Sequence, residues 1–300
     1  MKKIVISLLA ILVIALICFT VFHRPADETK LDADLTEKTE AVESKIIEEK
    51  EIRIYDIEEG YMMVPANNAV AKHNYDWEKL INENGMYQYK DKEYHSKLGI
   101  DVSSHQNTID WEKVKNAGIE FAFLRLGYRG YGSAGNIVID SRFEENYRDA
   151  SKQGIKIGVY FFSQAITIDE VREEAEFVLN KLKNKVIDYP VVFDLEKIKN
   201  DTARTDNLTM EEITDMTVEF CNIIEKNGYK PSVYGNAKTF TTKMHLEKLN
   251  SVEKWYADYQ EKPLYPYEFS IWQYTETGRI NGIKGNVDID IQFIKNDKDN

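Results

Sequence analysis

The sequence predicts an α/β protein: an irregular, TIM-like (β/α) barrel with fewer helices in its C-terminal part, preceded by an N-terminal transmembrane helix and a tether. Three observations carry this expectation. From residue 97 onward, short apolar runs alternate with amphipathic stretches of helical period. About eight such runs can be counted, enough to close a sheet on itself. Ahead of them, residues 4–22 carry no charge, a span of about 28 Å as a helix against a hydrocarbon thickness of about 30 Å.

That first run is longer than the core of about 7–15 residues of a cleaved signal peptide, and no small-x-small site follows it. Residues 1–24 therefore read as a cytoplasmic tip and an uncleaved signal anchor. Lys2 and Lys3 stay in the cytoplasm and everything after Arg24 lies outside. This places the protein in a bacterial cell membrane as a single-pass chain with the lipid bilayer as partner through residues 4–22; the alternative is secretion after signal cleavage. Residues 25–60 read as an acidic tether, with roughly thirteen acids against five bases and aliphatics such as Val42, Ile46, Ile47 and Ile54 too scattered for a heptad. The net charge of −12 resides largely there. A chain with no basic surface has no nucleic-acid partner. The two cysteines, Cys18 and Cys221, fall on either side of the membrane boundary and form no intramolecular bridge. Residues 61–96, rich in Tyr and Asn, read as an N-terminal extension packed on the barrel, and residues 97–297 as the barrel itself.

Within the barrel the strands are expected at 98–102, 121–126, 157–162, 191–195, 232–234, 255–259, 269–274 and 287–291. Helices are expected at 111–116, 141–153, 169–182 and 209–226. Gly118, Gly154 and Gly228 each follow a helix where a left-handed backbone is required. Strand after helix after strand implies parallel pairing with right-handed crossovers. The later strands have little helix between them, so that side of the barrel should be irregular.

In a barrel of this kind the working face lies at the carboxyl ends of the strands. The stretch Val191-Val192-Phe193-Asp194-Leu195-Glu196 reads as a short buried strand ending in two acids, and period-two geometry puts both on one face. Other strand ends contribute Asp101, Arg125, Tyr160, Gln164, Tyr234, Asn236, Tyr256, Asp258, Trp272, Gln273, Tyr274, Asp288 and Asp290. Acids among aromatic rings suit a sugar-cleaving cleft, which needs a protonated acid at the bridging oxygen and a second carboxylate near the anomeric carbon. Crowded acids raise one another's pKa, which keeps one of them protonated near neutrality. Plainer roles are set beside these. Asp290 is assigned to a cap or salt bridge, His105 to a hydrogen-bonding wall and Arg125 to a buried counter-ion for the acids. Tyr256, Trp272 and Tyr274 are open to a core role.

The runs Gly99-Ile100-Asp101-Val102-Ser103-Ser104-His105-Gln106, Ile109-Asp110-Trp111, Phe193-Asp194-Leu195-Glu196, Trp272-Gln273-Tyr274 and Val287-Asp288 resemble, in order, the lysozymes of glycoside hydrolase family 25, the N-acetylmuramidases. The resemblance implies cleavage of the β-1,4 bond between N-acetylmuramic acid and N-acetylglucosamine in peptidoglycan glycan strands. It implies Glu196 as general acid, Asp194 as the carboxylate assisting at the anomeric centre, and Asp101 and Asp288 as two further acids of the cleft. The expected substrate-binding set is Tyr160, Gln164, Tyr234, Tyr256, Asp258, Trp272, Gln273 and Tyr274, with no metal and no cofactor. The Asp-x-Glu spacing fits assistance by the substrate's own 2-acetamido group and retention of configuration. Two rival functions are a metal-dependent hydrolase using the same four acids and a non-catalytic glycan-binding membrane protein. The five histidines, His23, His73, His95, His105 and His245, form no zinc-ligand spacing.

Overall fold

A computed structural model describes residues 50–57, 59–198 and 201–296. The expected transmembrane run 4–22 and residues 25–49 of the expected tether lie outside the described residues. Among the described residues no helix is long and apolar enough to cross a membrane.

The last residues of the expected tether are instead a strand. In β1 (Glu51–Asp56), Ile52 and Ile54 alternate with Arg53 and Tyr55 and are buried, and β1 pairs antiparallel with β2 (Gly60–Pro65). Period two, not scatter, is what those aliphatics record. A second hairpin joins β3 (Leu80–Glu83) to β4 (Met86–Tyr89) through Asn84 and Gly85, both at positive φ (57° and 86°), the conformation that a two-residue hairpin turn requires. The segment between the two hairpins and the second hairpin itself pack their rings on the strands that follow. Tyr75 stacks on Phe293 with centroids 4.2 Å apart, and Tyr87 stacks on Trp272 at 5.3 Å.

The remaining elements are β5 (Tyr94–Val102), α1 (Trp111–Asn116), β6 (Phe121–Arg129), β7 (Ile137–Ile139), α2 (Phe143–Lys152), β8 (Lys156–Phe162), α3 (Ile168–Leu182), β9 (Val191–Asp194), α4 (Met210–Lys226), β10 (Pro231–Asn236), β11 (Glu253–Ala257), β12 (Ile271–Gly278) and β13 (Val287–Lys295). Strands β5, β6, β8, β9, β10, β11, β12 and β13 pair in that order and β13 returns to β5, closing an eight-stranded barrel; β7 adds an antiparallel strand on the outside of β6. Asp110, Thr167 and Thr209 cap the starts of α1, α3 and α4. Gly118, Gly154 and Gly228 follow three helices at φ 94°, 70° and 84°. Beyond β10 only short turns at Thr239–Lys243 and Leu246–Leu249 stand in for helices.

One strand departs from the expected parallel arrangement. β13 runs antiparallel to both β12 and β5. Its connection, residues 279–286, is shorter than the dozen or so residues of a parallel crossover, so a hairpin is the only link available. The reversal has a consequence for the site. It is the amino end of β13, carrying Asp288, that meets the carboxyl ends of the other strands.

Side chains alternate in and out along every strand. Phe121, Phe123, Val192, Tyr234, Trp255, Ala257 and Ile271 fill the barrel interior, while their neighbours pack outward against helices and the N-terminal hairpins. Phe121 stacks on Tyr189 at 4.6 Å and Phe123 on Trp255 at 4.5 Å. Room for those rings comes from Gly99 and Gly158, where an added Cβ would lie 2.2 and 2.4 Å from Phe121 and Phe123. The rings plug one end of the barrel. The other end stays open as a cleft.

Candidate active site

The open mouth holds a cleft of about 620 Å³ that reaches Asp101, Asp194, Glu196 and Asp288, with Tyr160, Tyr234, Trp255 and Tyr259 among its walls. Each acid arrives there by the same rule. Inward-facing positions two apart along a strand climb from the aromatic plug to the mouth, as Val192, Asp194 and Glu196 do at the end of β9. The turn after β1 adds Asp56 and Ile57 to the rim.

Asp194 and Glu196 hydrogen-bond to one another, and burial together with the Glu196 charge raises the Asp194 pKa well above the usual carboxylate range. Asp194 is buried and its Oδ1 has no hydrogen-bond partner among the described residues, whereas Glu196 is exposed at the open end. Burial and the shared hydrogen bond thus favour a proton on the pair, whose outer member faces whatever enters the cleft. Arg125 pulls the other way on Asp194, but its own ion pair is with Asp140 at 2.8 Å. It serves Asp140 first and the acid cluster only at a distance. Behind the pair, Gln164 donates from Nε2 to the Glu196 carbonyl at 3.1 Å and Arg204 donates to the Gln164 carbonyl at 3.1 Å.

The second pair sits on adjacent strands. Asp288 on β13 lies directly opposite Asp101 on β5 and hydrogen-bonds to it. Burial, then the charges of Asp288 and Asp290, raise Asp101 well above its usual range. Asp288 is pushed up to about 6, by burial first and then by the nearby Glu276 carboxylate. Gln273 organises this corner. Its Nε2 donates to Asp101 Oδ2 at 2.7 Å, and its Oε1 accepts from Tyr234 at 2.9 Å and from Tyr259 at 3.0 Å. Asp290 lies deeper, fully buried, with Oδ1 accepting from Trp255 Nε1 at 2.7 Å and burial raising its pKa. It is neither a cap nor a salt bridge. Among the described residues no group of three His, Cys, Asp or Glu side chains is arranged to hold a metal ion.

Several expected binding residues lie elsewhere. Tyr256, Asp258, Trp272 and Tyr274 point out of the barrel, because Trp255, Ala257, Ile271 and Gln273 take the inward positions between them. Tyr256 donates to Asp258 at 2.7 Å, Trp272 donates to the Asp258 carbonyl at 2.7 Å, and Tyr274 donates to the Gly85 carbonyl at 3.2 Å. Trp272 and Tyr274 pack against the N-terminal extension and Tyr256 against Tyr265 and Phe269, and none of the four lines the cleft. Gln164 is fully buried behind the strand end it braces. Trp255 and Tyr259 are the cleft aromatics that the strand-end reading passed over, although strict alternation from Gln273 and Trp255 marks them. His105 is exposed on the turn Ser104–Gln106 and is not part of the cleft wall.

A closed barrel whose open mouth gathers two hydrogen-bonded carboxyl pairs beside aromatic rings has the groups that glycoside hydrolysis requires. The profile of Glycosyl hydrolases family 25 matches residues 100–283, and the chain belongs to that family. The autolytic lysozyme of Clostridium acetobutylicum is 27% identical over 197 residues, 64% of this chain and 54% of that protein. The chain thus spans about half the length of that relative. The modular autolysin LytC of Streptococcus pneumoniae, solved with a synthetic peptidoglycan ligand, shares the fold at a TM-score of 0.59 and 21% identity, over 83% of this chain and 57% of that one. A family 25 glycosyl hydrolase from Bacillus anthracis does so at 0.53 and 21%, over 76% and 94%.

Proposed function

We propose that the protein is a peptidoglycan N-acetylmuramidase that hydrolyses the β-1,4 bond between N-acetylmuramic acid and N-acetylglucosamine. The observation that carries this reading is the convergence of Asp101, Asp194, Glu196 and Asp288 on one cleft, with Asp194 and Glu196 sharing a hydrogen bond. A lysozyme among the relatives and a peptidoglycan ligand in a structural neighbour support the substrate.

Glu196, at the open end of its pair, delivers the proton to the bridging oxygen as that bond breaks. The proton shared by the pair leaves through Glu196, after which Asp194 is the stabilising carboxylate. Such a carboxylate orients the 2-acetamido oxygen for attack on the anomeric carbon, forming an oxazolinium-like intermediate that water opens with retention. Tyr160, Tyr234, Trp255 and Tyr259 offer rings to the sugar, and Gln273 fixes Asp101 for hydrogen bonding to it. Anchored through residues 4–22, the protein would act outside the bilayer. Muropeptides released by the wild type and by Glu196→Gln, read by mass spectrometry, test the assignment. The variant should lose activity by about 10²–10⁴-fold, and unchanged release by Glu196→Gln would reject it. NMR of the first-formed anomer tests retention, which an inverted product excludes.

A further inference from the structure

A second groove, of about 400 Å³, adjoins the catalytic cleft. Tyr259 lines both, so its ring is the partition between them. One wall of the groove is the end of β12 with Thr275, Thr277 and Arg279; the other is the tip of the β3–β4 hairpin with Asn82, Asn84 and Tyr87. That hairpin lies ahead of the residues matched to the family, 100–283, so the groove is made by this chain's own extension. It is firmly held. Tyr274 bridges the hairpin, donating to the Gly85 carbonyl and accepting from the Tyr87 amide at 3.4 Å, and Tyr87 stacks on Trp272.

The groove's chemistry differs from that of the cleft. The Tyr87 ring face is already covered by Trp272, so the hairpin offers little to a pyranose ring. What remains presented are amides and a guanidinium. Asn82 accepts from the Gly85 amide through Oδ1 at 2.8 Å, leaving its Nδ2 to donate outward. Arg279 is exposed and has no ion pair or hydrogen bond among the described residues. Glu261 lines the same groove, exposed, and is not paired with Arg279. A guanidinium, a carboxylate and side-chain amides in one rigid channel match a short peptide that carries carboxylates and an amine.

We infer that this groove binds the stem peptide borne by the muramic acid residue in the adjoining cleft, with Arg279 on a peptide carboxylate, Glu261 on the amine of its diamino acid, and the hairpin amides on its backbone. The inference rests on the muramidase reading and adds to it a requirement for peptide-substituted glycan. The full chain is assayed on linear glycan strands bearing stem peptides and on the same strands stripped of peptide by an amidase, with reducing ends counted. The wild type should cleave the substituted strands about tenfold better in kcat/KM, the size of one charge-assisted contact. Arg279→Ala should abolish that preference and leave the stripped strands cleaved within about twofold of wild type; Arg279→Lys should restore part of it. Equal cleavage of both strands by the wild type, or a preference that survives Arg279→Ala, overturns the peptide site while leaving the muramidase intact. Cleavage of neither strand overturns both.

Discussion

Asp101 and Asp288 face each other across two strands with no ion pair to either among the described residues, so their proton uptake is coupled to folding. Asp288 is pushed up from 3.8 to about 6, chiefly by burial. A carboxyl with a raised native pKa stabilises the fold below its unfolded pKa, and that contribution is lost as pH rises through the folded value. Between about pH 5 and pH 8 the native state holds protons that the unfolded chain has released, so stability falls as pH rises. His73 works against this, since burial lowers its pKa and acid favours its unfolded form. The difference between wild type and Asp288→Asn isolates the carboxyl. Melting at pH 5 and pH 8 should show the wild type gaining relative stability at pH 5, by about 1.4 kcal/mol, roughly half of the full effect of a two-unit shift, the rest appearing only below about pH 4. A variant whose melting temperature tracks the wild type at both values would remove Asp288 as the titrating group. The same measurement bears on Asp101, which Asp288 raises. Losing the neighbouring charge lets Asp101 ionise at lower pH, so the activity profile of the variant should move in that direction too.

At the scale of elements, the barrel was legible because its strands are short, apolar and separated by well-capped helices. All eight regions carry a strand, and four helices stand where the periodicity and the glycines after them indicate. What sequence reading missed followed from two local rules. Strand direction at β13 is set by the length of the link before it, not by the strand's own residues. Facing is set by parity, and the cleft role expected for Trp272 and Tyr274 rests on the family resemblance, which carries no parity. Asp194 and Glu196 were placed correctly because parity was applied to them. Trp272 and Tyr274 were not, because they flank Gln273 on the opposite face. Trp272→Ala decides between the two roles. As a fully buried ring under Trp77 and Tyr87, its loss should cost about 3–5 kcal/mol and lower the melting temperature by on the order of 10 °C, seen by circular dichroism. A cleft platform would instead raise KM and leave the melt where it was. The β3–β4 hairpin and the Tyr75–Trp77 segment share this packing, so removing residues 50–93, which stops short of β5, should expose the outer face of β12 and leave the chain aggregating.

For the whole molecule, the cleft and the side chains that brace it are built from residues 50–296, while about half of the excess negative charge falls in residues 26–49. Such a division separates chemistry from placement. An acidic segment of about 25 residues, if a coil, would reach on the order of 25–30 Å and further when its charges repel, so a barrel carried by residues 4–22 as an anchor would work on glycan close to the bilayer. The full chain should sediment with membranes, withstand alkaline carbonate and enter solution only with detergent. A chain lacking residues 1–24 should be released, yet keep its kcat on soluble glycan strands, because no residue of the cleft lies in the segment removed. Its effect on walls in cells should fall all the same, since effective concentration at the membrane-proximal layer is lost. Recovery of the intact protein from the medium, with a new amino terminus after residue 22, would show the segment to be a cleaved signal. Wall turnover would then have to depend on diffusion and on whatever the barrel itself grips, which puts the whole burden of targeting on the cleft and the groove beside it.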